Sequence, residues 1–234
     1  MSPASALFRP RSEEAVRLPA AGLELEGRLG LPPTPRGLIL LPQAASANRF
    51  GLRLGELARA LRLAGYATLI ADLLSEEEDR HYARRFEVPL LADRLLRVST
   101  SLRAWREEWE LGLGVLATSS VAAAALRAAR DGSLDPGAWV FWEARLDLAP
   151  DLVSEISVPT LLLSGARNVT LTRLHAEAYP RLTAPKDLLV LPGAMCLLEE
   201  GAARAELVRC SADWFGRFLG SRPDRRGVEE FDGL

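Results

Sequence analysis

Short apolar runs, almost free of polar residues, recur along most of the chain. They cover residues 37–41, 66–71, 113–116, 138–142, 160–163 and 188–191. Each run has the length of a strand, and strands without polar alternation are typical of a parallel sheet that is covered on both faces. Ahead of them, apolar and polar positions alternate with period two between Val16 and Leu29. This alternation predicts a hairpin over about residues 14–30 with one solvated face.

Between the apolar runs, the spacing of apolar residues changes to three and four, which is the period of a helix with one buried face. In the longest such segment these positions are Leu91, Leu95, Val98, Leu102, Trp105 and Trp109. A last helix is indicated in the same way by Leu207, Ser211, Trp214 and Phe218. Strands that alternate with helices predict an α/β fold, a three-layer sandwich around a mostly parallel twisted sheet.

No segment has the composition of an interdomain linker. We therefore predict one domain over residues 1–219. The polar stretch from Gly220 onwards predicts a flexible C-terminal tail over 220–234.

Composition narrows the classes of partner. The chain of 234 residues is 48% hydrophobic and 26% charged, with a net charge of -2 and no cluster of basic residues. Nucleic acid and anionic membranes require such a cluster, so neither is expected as a partner. The first residues do not resemble a secretory signal, and Cys196 and Cys210 offer no disulfide framework. We predict a soluble cytoplasmic protein, with its protein partners left open.

Motifs for cofactors and metals are missing from the sequence. There is no glycine-rich phosphate loop, no dinucleotide-binding fingerprint and no zinc-type spacing of His and Cys. We expect neither a cofactor nor a metal. The acidic stretch 76–79 is interpreted as a solvated loop or the start of a helix.

Polar or small residues follow four of the apolar runs, where the predicted strands end. These segments are 42–46 (Pro-Gln-Ala-Ala-Ser), 117–121 (Ala-Thr-Ser-Ser-Val), 163–168 (Leu-Ser-Gly-Ala-Arg-Asn) and 191–196 (Leu-Pro-Gly-Ala-Met-Cys). In open α/β sheets, ligands bind outside the carboxyl ends of the strands. The four segments therefore predict one site at this edge of the sheet.

The order of these segments resembles the α/β-hydrolase fold, and within it the dienelactone-hydrolase-like branch. The resemblance covers about residues 37–219, and the short stretch 143–157 leaves no room for a large lid domain. It implies that Ser119 is in the nucleophile position of the Gly-x-Ser-x-Gly elbow, with Ala117 and Val121 in place of the two glycines. The alternative interpretation is that Ser119 is the N-cap of a helix.

The resemblance also implies that the two partners of the nucleophile have been replaced. Asn168 stands at the position of the acid and Cys196 at the position of the histidine base. Asparagine cannot stabilise an imidazolium, and a thiol is a poor proton shuttle near neutral pH. The alternatives are that Asn168 is a turn residue and Cys196 a small buried hydrophobic residue.

Further site residues follow from the same resemblance. Gln43 and Ala44 take the place of the His-Gly pair of the oxyanion loop, and the backbone amides near Gln43 and Ser120 would hold an oxyanion. Trp139, Trp142 and Glu143 end a predicted strand near the site and could line its pocket, although aromatic residues in strands are more often part of a core.

The chain contains only two histidines, His81 and His175. We expect His81 on a surface loop and His175 on a solvent-facing helix position. Neither is then expected to replace the missing base.

Two functions are compatible with these residues. The first is a binding or interaction module that has lost serine hydrolase activity and binds a small molecule in the residual pocket. The alternative is a weak or altered hydrolase that acts on a small ester, lactone or thioester through Ser119.

Overall fold

The computed structural model describes residues 11–20, 23–44, 49–194 and 201–219. The described residues form eight strands in one sheet. The strands are β1 (Arg11–Ala20), β2 (Leu23–Leu31), β3 (Leu38–Gln43), β4 (Ala67–Asp72), β5 (Leu113–Thr118), β6 (Ala138–Ala144), β7 (Thr160–Gly165) and β8 (Lys186–Leu191).

Helices connect the strands from β3 onwards. They are α1 (Arg49–Leu63), α2 (Glu76–Asp79), α3 (Val88–Trp109), α4 (Ser119–Arg130), α5 (Pro150–Val153), α6 (Val169–Ala178) and α7 (Gly201–Phe218). Three short 3-10 helices are also present, Tyr82–Phe86, Leu146–Leu148 and Tyr179–Arg181.

The strand order is β1-β2-β4-β3-β5-β6-β7-β8. The hairpin β1–β2 is antiparallel and joins β4 antiparallel, whereas every pair from β4 through β8 is parallel. Parallel strands require crossovers, and the intervening helices supply them. The predicted α/β fold with a mostly parallel sheet is confirmed.

Two apolar clusters fill the space on either side of the sheet. One contains the hairpin, α3 and α4, and the other contains α1 and α7. The apolar stripe of α3 packs inward as its spacing predicts, since all six positions except the half-buried Trp105 are buried. On α7, Leu207, Ser211 and Trp214 are likewise buried.

All six apolar runs form the strands predicted for them, but most strands extend further at one end. Strand β5 reaches Thr118, β6 reaches Ala144 and β7 reaches Gly165. Backbone pairing continues past the last apolar side chain, and for this reason the polar residues of the site belong to the strands.

The acidic stretch 76–79, interpreted as a solvated loop or the start of a helix, forms the short helix α2. The acidic stretch is a helix start, because α2 has a capping box formed by Ser75 and Glu78. Its last residue, Asp79, is buried rather than solvated and pairs with Arg85 at 2.6 Å.

The predicted tail, residues 220–234, lies outside the described residues. Among the described residues, no helix combines the length and apolar character needed to cross a bilayer.

Candidate active site

Ser119 stands at the sharp turn between β5 and α4. Its φ is +50°, in the left-handed region that non-glycine residues seldom adopt. Thr118 takes the N-cap position of α4, and its side chain makes no capping hydrogen bond. Ser119 is therefore not the N-cap, and its backbone has the strained form expected of an elbow that presents a side chain at the end of a strand. The side chain is half-buried.

A second left-handed residue, Glu143, lies at the end of the neighbouring strand β6, with a φ of +49°. The next residue, Ala144, forms a parallel bridge with Ser119, and the Arg145 amide donates to the Ser119 carbonyl at 3.0 Å. The two strained residues therefore lie at the carboxyl ends of adjacent strands, which backbone pairing joins.

The Glu143 carboxyl group is buried and accepts two hydrogen bonds. Its Oε1 accepts the Gly165 amide at 2.5 Å, and its Oε2 accepts the side-chain amide of Asn168. Burial raises the pKa of Glu143 above its ordinary value, and the two hydrogen bonds oppose this shift. A carboxylate therefore lies directly beside the position where the resemblance places the acid.

Asn168 itself is the N-cap of α6. Its Oδ1 accepts the Leu171 amide at 3.3 Å, while its Nδ2 donates to Glu143. The side chain thus joins the start of a helix to the end of β6. This is a more specific role than that of a turn residue.

The turn after β8 packs directly on β7. A Cβ atom at Gly165 would collide with the carbonyl oxygen of Ala194 and lie 2.7 Å from its carbonyl carbon. Glycine is therefore required at 165 for the 191–194 turn to approach the strand. Cys196 follows two residues later and lies outside the described residues.

The predicted oxyanion region holds a second buried polar pair. Gln43 ends β3, is buried, and donates to the Asp72 carboxylate at the paired end of β4. Burial raises the pKa of Asp72, and the hydrogen bond from Gln43 opposes the shift. The Gln43 Oε1 has no partner in the part of the chain that the structure describes. Ala44 is buried next to it.

Ser120 and Trp142 face away from solvent. The Ser120 hydroxyl donates to the Arg85 carbonyl at 2.7 Å, which ties the start of α4 to the 3-10 helix Tyr82–Phe86. Trp142 belongs to the core cluster that contains α1 and α7.

The two histidines have different surroundings. His81 is exposed, as predicted. The prediction for His175 was wrong, because this residue is fully buried. Its Nε2 lies 3.0 Å from the Ala144 nitrogen and 3.2 Å from the Ala144 oxygen, so it is engaged with the backbone of β6. Burial lowers its pKa to about 4. Within the described ranges, neither imidazole forms a hydrogen bond with Ser119.

Glu143 was expected only as a residue that could line the pocket, with no partner or role assigned to it, although the sequence held a signal for one. It is the one ionisable residue of β6, whose other residues are apolar. A charge inside a strand that is buried along its whole length requires partners, and here these are an amide of β7 and the cap of α6.

Comparisons with known proteins place these features in context. No family model matches the chain. A dienelactone hydrolase from Anabaena variabilis is 30% identical, with a TM-score of 0.81, over 90% of this chain and all of the other. An esterase domain from Rhodothermus marinus shares the fold with a TM-score of 0.72 at 19% identity.

Two sequence relatives come from Mycobacterium tuberculosis strains CDC 1551 and H37Rv. Both are provisionally named phosphoribosyl transferases and are 34% identical over 206 residues, which is 88% of this chain. The match covers 46% of each relative, so the chain spans about half the length of the curated relatives it matches.

Proposed function

Because the chain belongs to the dienelactone-hydrolase-like branch of the α/β-hydrolase family, we propose that it is a member that has lost serine hydrolase activity and binds a small molecule at the Ser119 edge of the sheet. The single observation that carries this proposal is the lack of an imidazole for Ser119. Of the two histidines in the chain, His81 is exposed and makes no hydrogen bond with Ser119 among the described residues, and His175 is engaged with the β6 backbone.

The chemistry of a serine nucleophile explains why this matters. A serine hydroxyl is a weak nucleophile until a neighbouring base takes its proton. With Cys196 at the base position, the only imidazoles that the chain offers are those of His81 and His175. Burial lowers the pKa of His175 to about 4, and its Nε2 already contacts Ala144. Ser119 therefore keeps its proton.

The binding half of the proposal is supported by the backbone at Ser119. A left-handed non-glycine residue costs about 1–2 kcal/mol, and such strain is found mainly where it serves a site. Ser119 is only half-buried, at the strand ends where α/β proteins bind ligands. The ligand class that suits a hydroxyl and strand-end amides is a small carbonyl compound, such as an ester or a lactone.

A direct test compares the protein with Ser119→Ala. We expect p-nitrophenyl butyrate to be hydrolysed equally slowly by both, and a fluorophosphonate probe to label neither. Thermal shift assays with a small lactone should show stabilisation of the unaltered chain, and a smaller shift for Ser119→Ala. Turnover or labelling that depends on Ser119 would refute the loss of activity, and no shift with any lactone or ester would refute the binding role.

The alternative is weak hydrolysis of a small ester, lactone or thioester through Ser119, with backbone amides near Gln43 and Ser120 holding the oxyanion. The strained backbone at Ser119 favours it, since the serine is presented as in active enzymes. Such a site can retain about 10³–10⁴-fold acceleration over water without its full triad. The same comparison with Ser119→Ala detects this activity.

A second candidate function comes from the Mycobacterium tuberculosis relatives, whose name suggests phosphoribosyl transfer. Because this chain spans less than half of each relative, their named activity is only a proposal for it. The test is to add 5-phosphoribosyl 1-diphosphate and follow thermal unfolding. An increase in the unfolding temperature would favour this candidate, and an unchanged temperature would remove it.

A further inference from the structure

We propose that Glu143 is the positioning carboxylate of this site, supplied by β6, and that Asn168 is the side chain that holds it. The acid function would then have moved to the neighbouring strand rather than disappeared. This inference rests on the proposed function in one respect: both take the group that the site lacks to be the base for Ser119.

The surroundings of Glu143 are built for a carboxylate. The Asn168 Oδ1 accepts a hydrogen bond from the Leu171 amide. Its Nδ2 therefore points the other way and donates to Glu143. The Gly165 amide donates to the second oxygen. Both partners are donors held by backbone structure, and they suit a group that only accepts.

The residue type at 168 follows from the same contact. An aspartate there would put a second carboxylate against Glu143, which is only 3% exposed. Two buried carboxylates in contact cannot both ionise. One carboxylate and one amide form a complementary pair whichever position holds the carboxylate. The observed pair, Glu143 with Asn168, is therefore equivalent in hydrogen bonding to an aspartate at 168 facing a glutamine at 143.

The position of Glu143 relative to Ser119 also fits. Ala144, the next residue, bridges to Ser119 across the β5–β6 ladder. The Gly165 that donates to Glu143 also packs against Ala194, two residues before the base position. Glu143 therefore lies between the strand that precedes the nucleophile and the turn that leads towards residue 196.

The first experiment measures how much the Glu143–Asn168 pair contributes to stability, with Cys196 left unchanged. Glu143→Gln replaces one acceptor oxygen by an NH2 group, which must face a donor, either the Asn168 amide or the Gly165 amide. Asn168→Asp places two carboxylates face to face. We expect each to raise the unfolding equilibrium constant about 10- to 100-fold in urea titrations. The double variant, which exchanges the two groups, should recover most of this loss. Additive losses without recovery would overturn the complementary pair.

The second experiment tests the positioning role by returning an imidazole with Cys196→His. We expect this single change to give Ser119-dependent hydrolysis of p-nitrophenyl butyrate. Adding Glu143→Gln should lower kcat by up to about 10⁴-fold, the cost of replacing the acid of a triad. It should also shift the acidic limb of the pH profile to lower pH, because a neighbouring carboxylate raises the pKa of an imidazole. Exchanging both groups, with Glu143→Gln and Asn168→Asp, should restore activity and pH profile together.

Two outcomes would overturn the positioning role. One is activity that requires Asn168→Asp and does not respond to Glu143→Gln. The other is inactivity of every variant with His at 196, since the site would then lack more than the base. Ser119-dependent turnover by the unaltered chain would instead refute the proposed function, and the stability cycle, which needs no activity, would still decide the inference.

Discussion

Ser119 carries its side chain at a φ of +50°, where the Cβ atom crowds the backbone. The surrounding structure holds this conformation, because β5 precedes the residue, α4 begins at it, and the Arg145 amide donates to its carbonyl. Serine is kept at a position where glycine would fit without strain. At the scale of single residues, this is the clearest mark of a site.

The strain can be measured by substitution. We expect Ser119→Gly to be more stable than Ser119→Ala by about 1 kcal/mol, because only glycine adopts positive φ without cost. The matched control is Arg127, an exposed residue of the same helix α4. There the order should reverse, with glycine about 1 kcal/mol less stable than alanine. Urea unfolding of the four variants checks both signs, and an equal or reversed order at 119 would contradict a strained elbow.

At the scale of elements, the strands were predictable because burial on both faces leaves an unbroken apolar run. The carboxyl ends of the strands were less predictable. Thr118 and Gly165 continue the ladders through backbone pairing, and Glu143 lies in β6 one residue beyond Trp142, the last paired residue of that strand's ladders. The contact between Glu143 and Asn168 joins residues 25 positions apart, and no local pattern encodes it.

The error at His175 has a different origin. Leu171, Leu174, His175 and Ala178 have helical spacing and share the inward face of α6. The helical period of these four positions therefore indicates burial of His175, although imidazole is polar. Neutral imidazole is tolerated in a core when a backbone group is within hydrogen-bond reach, as Ala144 is here.

The contact between β7 and the turn after β8 gives an element-scale prediction. Gly165→Ala should destabilise the protein by about 1–3 kcal/mol, because the new methyl group would collide with the backbone of Ala194. Gly201→Ala is the control, since no atom of the residues that the structure describes lies within 4 Å of a Cβ there. We expect it to change stability by less than about 1 kcal/mol. Equal effects in chemical denaturation would show that the turn does not approach β7 this closely.

At the scale of the whole molecule, the sheet separates two apolar cores and gathers buried polar groups at one edge. Gln43 with Asp72, and Glu143 with Asn168, pair across the ends of adjacent or neighbouring elements. Each pair combines a carboxyl group with an amide. The hydrogen bond between them offsets part of the free-energy cost of burying both groups, without introducing a second charge. The described residues at this edge are thus polar, and the one imidazole near them, that of His175, is engaged with the Ala144 backbone, in keeping with a site for binding.

Buried His175 connects this architecture to the pH dependence of stability. Its pKa is lowered from 6.5 to about 4 in the folded state, so the unfolded chain binds the proton more tightly. The contribution to stability is complete above pH 6.5 and is lost as the pH falls towards 4, with a total of about 3 kcal/mol.

We expect the free energy of unfolding to fall over this range in the unaltered chain and in His81→Gln. In His175→Gln the fall should be smaller by about 3 kcal/mol, because no group at 175 titrates. Urea titrations at pH 7, 5.5 and 4 measure the difference, and parallel pH dependence of the two variants would show that His175 is protonated normally in the fold.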